Sequence, residues 1–152
     1  MDNYIDIKLS ENNEGIYDIN IAENGDFELE DSFDTSIILS LGTDARASES
    51  EMPIPELRRG WWGNLYNSTK EHETGSKLWL LSQSRMIQDT LISANDYAKK
   101  CLDWLQNDNH LKNINVSGNL TENGIKLNIK QIRKDDRIKN LFYDLWERSQ
   151  FK

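Results

Sequence analysis

Ile87-Gln88-Asp89-Thr90-Leu91-Ile92-Ser93-Ala94-Asn95-Asp96-Tyr97-Ala98-Lys99-Lys100-Cys101-Leu102-Asp103-Trp104-Leu105 is the stretch from which the fold is read. Ile87, Leu91, Ala94, Ala98, Cys101 and Leu105 recur at alternating intervals of four and three, the spacing that lines one stripe of an α-helix. A helix over about residues 87–106 follows, with its apolar stripe turned to a core. Downstream, Ile114 and Val116, then Ile125, Leu127 and Ile129, alternate on either side of Thr121-Glu122-Asn123-Gly124. Asn-Gly readily adopts the positive φ values of a tight turn, so this segment predicts a hairpin. Ile138, Leu141, Phe142, Leu145 and Trp146 close the chain with a pattern that predicts a C-terminal helix. Upstream, Ile5, Ile7 and Leu9 alternate with polar residues, as do Tyr17, Ile19 and Ile21 after the turn signal Asn12-Asn13-Glu14-Gly15. Glu23-Asn24-Gly25-Asp26 turns the chain again, and Asp34 or Thr35 is placed to cap a short helix through Ile37, Ile38 and Leu41 that ends at Gly42. The expected class is α+β: an acidic N-terminal β arm over residues 1–33 and a body over residues 34–152. In that body one long central amphipathic helix packs on a small, mostly antiparallel sheet, followed by a C-terminal helix.

Composition sets the limits of this reading. At 152 residues, with 37% hydrophobic and 29% charged content, the chain suits one soluble globular core. No apolar run approaches the ~20 residues of a bilayer span. Met1 to Ser10 has no basic region ahead of an apolar run, so no secretory signal is expected and the chain is assigned to the cytoplasm that makes it. The single cysteine, Cys101, reads as a buried structural thiol. The net charge of −8 is uneven: eleven Asp or Glu against Lys8 give residues 1–34 a charge of −10, leaving +2 on the rest. A nucleic-acid-binding protein carries the opposite signature, a basic stripe that displaces counterions from phosphate. The acidic arm suits either simple solvation or docking on a basic protein surface.

Residues 43–76 form a long irregular middle that holds Pro53, Pro55 and the block Arg58-Arg59-Gly60-Trp61-Trp62-Gly63. Adjacent side chains in a turning segment point in different directions, which leaves at least one of two neighbouring indoles open to a partner. Trp and Arg are the usual anchors of protein interfaces, and guanidinium groups bind carboxylates through paired hydrogen bonds. The alternative is internal: an indole plugging the core while the arginines pair within the chain. Trp79 and Trp104 sit in apolar helical segments and read as core.

A family resemblance rests on these residues. Ser40-Leu41-Gly42-Thr43-Asp44-Ala45-Arg46-Ala47, the Arg58 to Gly63 block, Gly75-Ser76-Lys77-Leu78-Trp79-Leu80-Leu81, the helix ending in Asp103-Trp104-Leu105 and the closing hairpin follow one another as in the Mu-like phage baseplate proteins. The resemblance covers roughly residues 25–148. That family looks like small wedge subunits of contractile tails, distantly similar to the T4-type wedge subunit that starts the sheath. Asn64 stands where an acidic residue commonly follows the Trp-Trp-Gly block, and Leu105-Gln106-Asn107 stands where the sheath-starting relatives carry Glu-Pro-Arg. The resemblance implies a structural part with no catalytic residues, no cofactor and no metal, located in the host cytoplasm during assembly and then in the virion tail baseplate. It implies other baseplate wedge proteins and the tail sheath protein as partners, neither nucleic acid nor membrane, a monomer when free and six copies in an assembled baseplate. Arg46, Arg58, Arg59, Trp61 and Trp62 are then the expected contacts with wedge proteins. Lys126, Asn128 and Lys130, on the second strand of the hairpin, are the expected edge for a sheath strand.

Two other classes of function make different demands on the same residues. A glycosidase needs two facing carboxyl groups, one with its proton affinity raised by an apolar pocket, and nothing among the 26 Asp and Glu singles out such a pair. Glu71-His72-Glu73 lacks the helical spacing of a zinc site, and His110 has no serine or cysteine elbow beside it. A soluble adaptor binding one partner through the Trp block is the other alternative.

Overall fold

Very short strands open the part of the chain that the structure, a computed structural model, describes, namely residues 4–66 and 73–145. Strand β1 (Asp6–Ile7) will pair with a later strand, and β2 (Leu9–Glu11) runs antiparallel to β3 (Tyr17–Ile19). The partner of β1 is β4 (Leu29–Glu30). The alternation of Ile5, Ile7 and Leu9 therefore continues across a break at Lys8, where the chain leaves one partner for another. The Thr35 hydroxyl closes that break: it donates to the Ile7 carbonyl at 2.8 Å and accepts from the Leu9 amide at 3.0 Å. Both backbone groups are thus satisfied where the strand pairing fails.

Helix α1 (Asp34–Gly42) buries Ile37, Ile38 and Leu41, as their spacing requires. Its cap differs from expectation. The residue at the cap position is Phe33, which has no side-chain oxygen, and neither Asp34 nor Thr35 caps the helix. The Glu30 carboxylate reaches across from β4 and accepts the Thr35 amide at 2.7 Å, supplying from outside what the first turn lacks. Phe33 instead stacks on Tyr4, with ring centroids 4.2 Å apart.

The irregular middle is held by short 3₁₀ turns at Pro55–Leu57, Trp62–Tyr66 and Leu78–Leu81. Helix α2 (Gln88–Leu102) then buries Leu91, Ala94, Ala98 and Leu102, whereas Ile87, expected in the same stripe, stands exposed at the cap position ahead of the first turn. Asp89 lies in its first turn and Lys99 and Lys100 in its last, both favourable to the helix dipole. The chain bends at Asp103 into the one-turn helix α3 (Trp104–Asn107), whose Leu105 is fully buried. The single predicted helix over residues 87–106 is thus two helices with a bend.

Strands β5 (Asn113–Leu120), β6 (Ile125–Ile132) and β7 (Ile138–Leu145) form an antiparallel sheet in the order β5-β6-β7. The predicted hairpin is β5-β6, closed by the Thr121 amide donating to the Gly124 carbonyl. The predicted C-terminal helix is wrong: Ile138, Leu141, Phe142 and Leu145 lie in strand β7, and Trp146 lies outside the described residues. The physical reason is that β7 carries apolar residues on both faces. Leu141, Tyr143 and Leu145 pack inward, while Ile138 and Phe142 are exposed on the other side, which erases the period of two and imitates a helical one. A three-residue loop, Lys134-Asp135-Asp136, joins β6 to β7, with Asp136 in the left-handed region at φ 63 and Arg133 bonded to Arg137.

Ile125, Leu127, Ile129 and Gln131 of β6 face the core formed with Leu91, Ala94, Ala98 and Leu102 of α2 and Ile37 and Leu41 of α1. Gln131, almost fully buried, donates to the Asp34 carboxylate at 2.6 Å, and Lys139 forms an ion pair with the same carboxylate at 2.7 Å. These bonds fasten the start of α1 to the sheet. Lys126 and Lys130 lie on the opposite face of the sheet, which is open to solvent.

Candidate interaction surfaces

Arg46, Arg58, Arg59, Trp61 and Trp62 are brought together by a sharp turn in the irregular middle. Arg59 and Gly60 are both left-handed, at φ 51 and φ 114, and glycine accepts such a conformation without strain. Gly63 answers a second demand: a Cβ there would stand 2.3 Å from the Trp61 ring, so only glycine lets the indole lie on the chain. The three arginines build the frame. Arg58 donates to the Met52 and Pro53 carbonyls at 2.7 and 3.2 Å, and its own carbonyl accepts the Ala47 amide. Arg59 pairs with Asp44 at 2.9 Å and lies 4.6 Å from the centre of the Trp79 ring. Arg46 donates to the Arg59 carbonyl at 3.1 Å.

Trp79 donates from its indole nitrogen to the Ala45 carbonyl at 2.8 Å, so this half-buried ring is a wall of the frame. Trp104 is likewise half-buried against the core, in edge contact with His110, whose other neighbour is Phe33. His110 is therefore a packing residue between aromatic rings. Trp61 and Trp62, by contrast, sit outside the core. Trp62 is 70% exposed, and Leu65 and Tyr66 beside it are 85% and 82% exposed. Trp62 touches Trp61 and Tyr66 at centroid distances of 5.9 and 6.1 Å, so the rings form one aromatic knob. Leu65 and Tyr66 were not singled out from sequence; their place one helical turn beyond the tryptophans was the available sign.

Lys126, Asn128 and Lys130 are not part of this cluster. They lie on β6, the central strand, paired with β5 on one side and β7 on the other. The expectation that this strand offers a free edge is corrected by that topology: the edges of the sheet are β5 and β7. The Arg133–Arg137 bond fixes the alternation, so that Lys139, Leu141 and Tyr143 exchange bonds with β6 while Asn140 and Phe142 direct amide and carbonyl groups outward. Beside this edge runs a groove of about 680 Å³, lined by β7 at Leu141 and Phe142, by β2 at Leu9 and Ser10, and by Leu29 and Ile38.

Among the described residues the carboxyl groups displaced from ordinary acidity, Glu28, Glu51 and Asp135, are displaced downward, each chiefly by a hydrogen bond from Lys8, Lys77 and Arg137 respectively. A general acid requires the opposite. Cys101 is half-buried, donates to the Ala98 carbonyl, and has its thiol pushed up to about 12, first by burial and then by Asp103. It is not a nucleophile. Among the described residues no three His, Cys, Asp or Glu side chains are grouped to hold a metal ion, and no helix is long and apolar enough to cross a membrane. Glu71 and His72 of the weighed Glu-His-Glu segment lie outside the described residues.

The sequence profile of the phage protein GP46 family matches residues 33–138, which run from the start of α1 to the start of β7. The chain belongs to the phage protein GP46 family. Two relatives are similar to it. Baseplate protein gp46 of Escherichia phage Mu is 41% identical over 100 residues, covering 63% of this chain and 66% of that protein. Mu-like prophage FluMu protein gp46 of Haemophilus influenzae is 41% identical over 88 residues, 58% of each chain. The similarity thus spans less than two-thirds of either relative. Within the GP46 segment lie the aromatic knob and strands β5 and β6, whereas β1 to β4 precede it and β7 begins where it ends.

Proposed function

We propose that this chain is a structural subunit of the baseplate of a contractile phage tail or tail-like particle. In this reading it links wedge proteins through the knob of Trp61, Trp62, Leu65 and Tyr66, and gives the first sheath subunit a strand edge to pair with. Its work is assembly, without catalysis, performed as a free monomer that takes its place in six copies per baseplate. The relative named as a baseplate protein supports the general role. The observation that carries the finer one is β7: its outward amides and carbonyls at Asn140 and Phe142 meet no backbone partner among the described residues, and a groove lies along them. Such an edge is a template for an added strand.

Proline supplies the test because it removes one backbone donor. At Asn140 the lost amide points outward, so an Asn140→Pro variant should fold, enter baseplates and leave them without sheath. At Asn128 the same change cuts into the central strand and should unfold the chain. Electron microscopy of tails assembled with folded Asn140→Pro protein decides the matter, and sheaths of normal length would overturn the edge reading.

A further inference from the structure

The strands that precede the family segment expose an apolar face, of which only Leu9 and Leu29 have been met so far, at the groove beside β7. Directly opposed residues of antiparallel strands lie on one side of a sheet. Ile7 opposes Leu29, Leu9 opposes Ile19, and Ile21 opposes Phe27. Residues two apart in a strand also share a side, which joins Ile19 to Ile21 and Phe27 to Leu29. One continuous face results. Of its members Ile7, Ile19, Ile21, Phe27 and Leu29 are between 36% and 62% exposed. The opposite face holds Asp6 against Glu30 and Ser10 against Asp18, with Lys8 bonded to Glu28. Strands of two or three residues draw little stability from their own ladder, and a monomer gains nothing by presenting such a face to water.

Charge selects what can cover it. Residues 4–30 contain eight Asp or Glu and a single cation, Lys8. Two copies meeting through this face would bring together two arms that each carry seven net negative charges over residues 4–30, part of them on the far face. An anionic lipid surface would be repelled in the same way. We propose that the face of Ile7, Ile19, Ile21, Phe27 and Leu29 docks a second tail protein through an apolar strip bordered by lysine and arginine. These strands lie before residue 33, where the family segment begins. Leu29 also borders the groove beside β7, so this surface adjoins the one proposed for the sheath strand.

The test places a photoreactive benzoylphenylalanine at Phe27 of the full chain, assembled with the other proteins encoded among the same tail genes. A second probe at Lys134, in the β6–β7 loop, is the control. The cross-linked peptide is then sequenced. Expected is a peptide of another tail protein, reached from Phe27 and not from Lys134, whose apolar residues stand among more Lys and Arg than Asp and Glu. The yield should fall several-fold as salt is raised from roughly 0.1 to roughly 1 M, which shortens the Debye length from about 10 to about 3 Å. Cross-links to a second copy of this chain, to lipid, to an acidic peptide or to nothing would each overturn the proposal. As a second measurement, an Ile21→Ser, Phe27→Ser variant with an unchanged melting curve should lose at least tenfold in co-assembly with the protein so identified, and undiminished co-assembly would count against it.

Discussion

Two side chains show how differently a charged or aromatic residue acts according to what surrounds it. Trp62 is held by its neighbours but covers nothing in the core, so Trp62→Ala should leave stability within about 0.5 kcal/mol of the parent. The same truncation should weaken binding to a wedge partner by about 2 kcal/mol or more, measured by calorimetry on the purified pair, and unchanged affinity would remove the knob from the interface. Arg59 is a poorer test, because it is already engaged by Asp44 and Trp79 and its loss also loosens the frame. Glu51 makes a prediction in pH. Lys77 first, then Ser48, hold its carboxyl at about 2, below its ordinary value of 4.5. A depressed folded value means the stabilisation is complete above the unfolded pKa and drains away as pH falls from 4.5 through about 2. Glu51→Gln should therefore flatten the acid limb of a stability profile across that window, and an unaltered limb would show the Lys77 contact to be idle.

Among the elements, α2 was legible because its pattern had one meaning: a stripe at three and four, an acidic start, a basic end and no proline. Leu102 is its most informative position, fully buried in the core. Leu102→Ala should cost roughly 2–5 kcal/mol through lost burial and a residual cavity, read from chemical denaturation, and a value near zero would place the stripe in solvent. The β5-β6 hairpin was legible for an equally local reason, the Asn-Gly turn. Strand β7 was not. Its two apolar faces answer to different needs, one to the core and one to the exterior, and a sequence read for a single buried stripe merges them. The loop of Lys134-Asp135-Asp136 was the sign available, since it returns the chain directly alongside β6. The error had a functional cost, because once β7 is a helix, β6 becomes a false edge.

At the scale of the whole molecule, the α+β class and the position of the core followed from periodicity, while the surfaces did not. Burial is written into sequence as repetition, but exposure of a bulky side chain leaves no repeat. The tryptophan pair stands out because its residue types are rare at a surface; Leu65, Tyr66 and the face of Ile21 and Phe27 use commoner residues and do not. Internal pairing of Arg58 and Arg59 stood open in the sequence as an alternative, but their carbonyl and carboxylate partners did not, since these are set by a turn of two left-handed residues. One other device in this region reaches beyond assembly. The Asn64 amide donates to the Thr74 carbonyl at 3.0 Å and accepts the Thr74 amide at 2.9 Å, a side chain standing in for a strand partner. It ties together the two ends of the intervening segment. Closing a loop whose ends are already joined grows only slowly more expensive with length, about 0.6 kcal/mol for each doubling. Evolution, or an engineer, therefore has at this point a place to splice in foreign sequence, an epitope or a fluorophore tag, beside the aromatic knob and without rewriting the body that carries it.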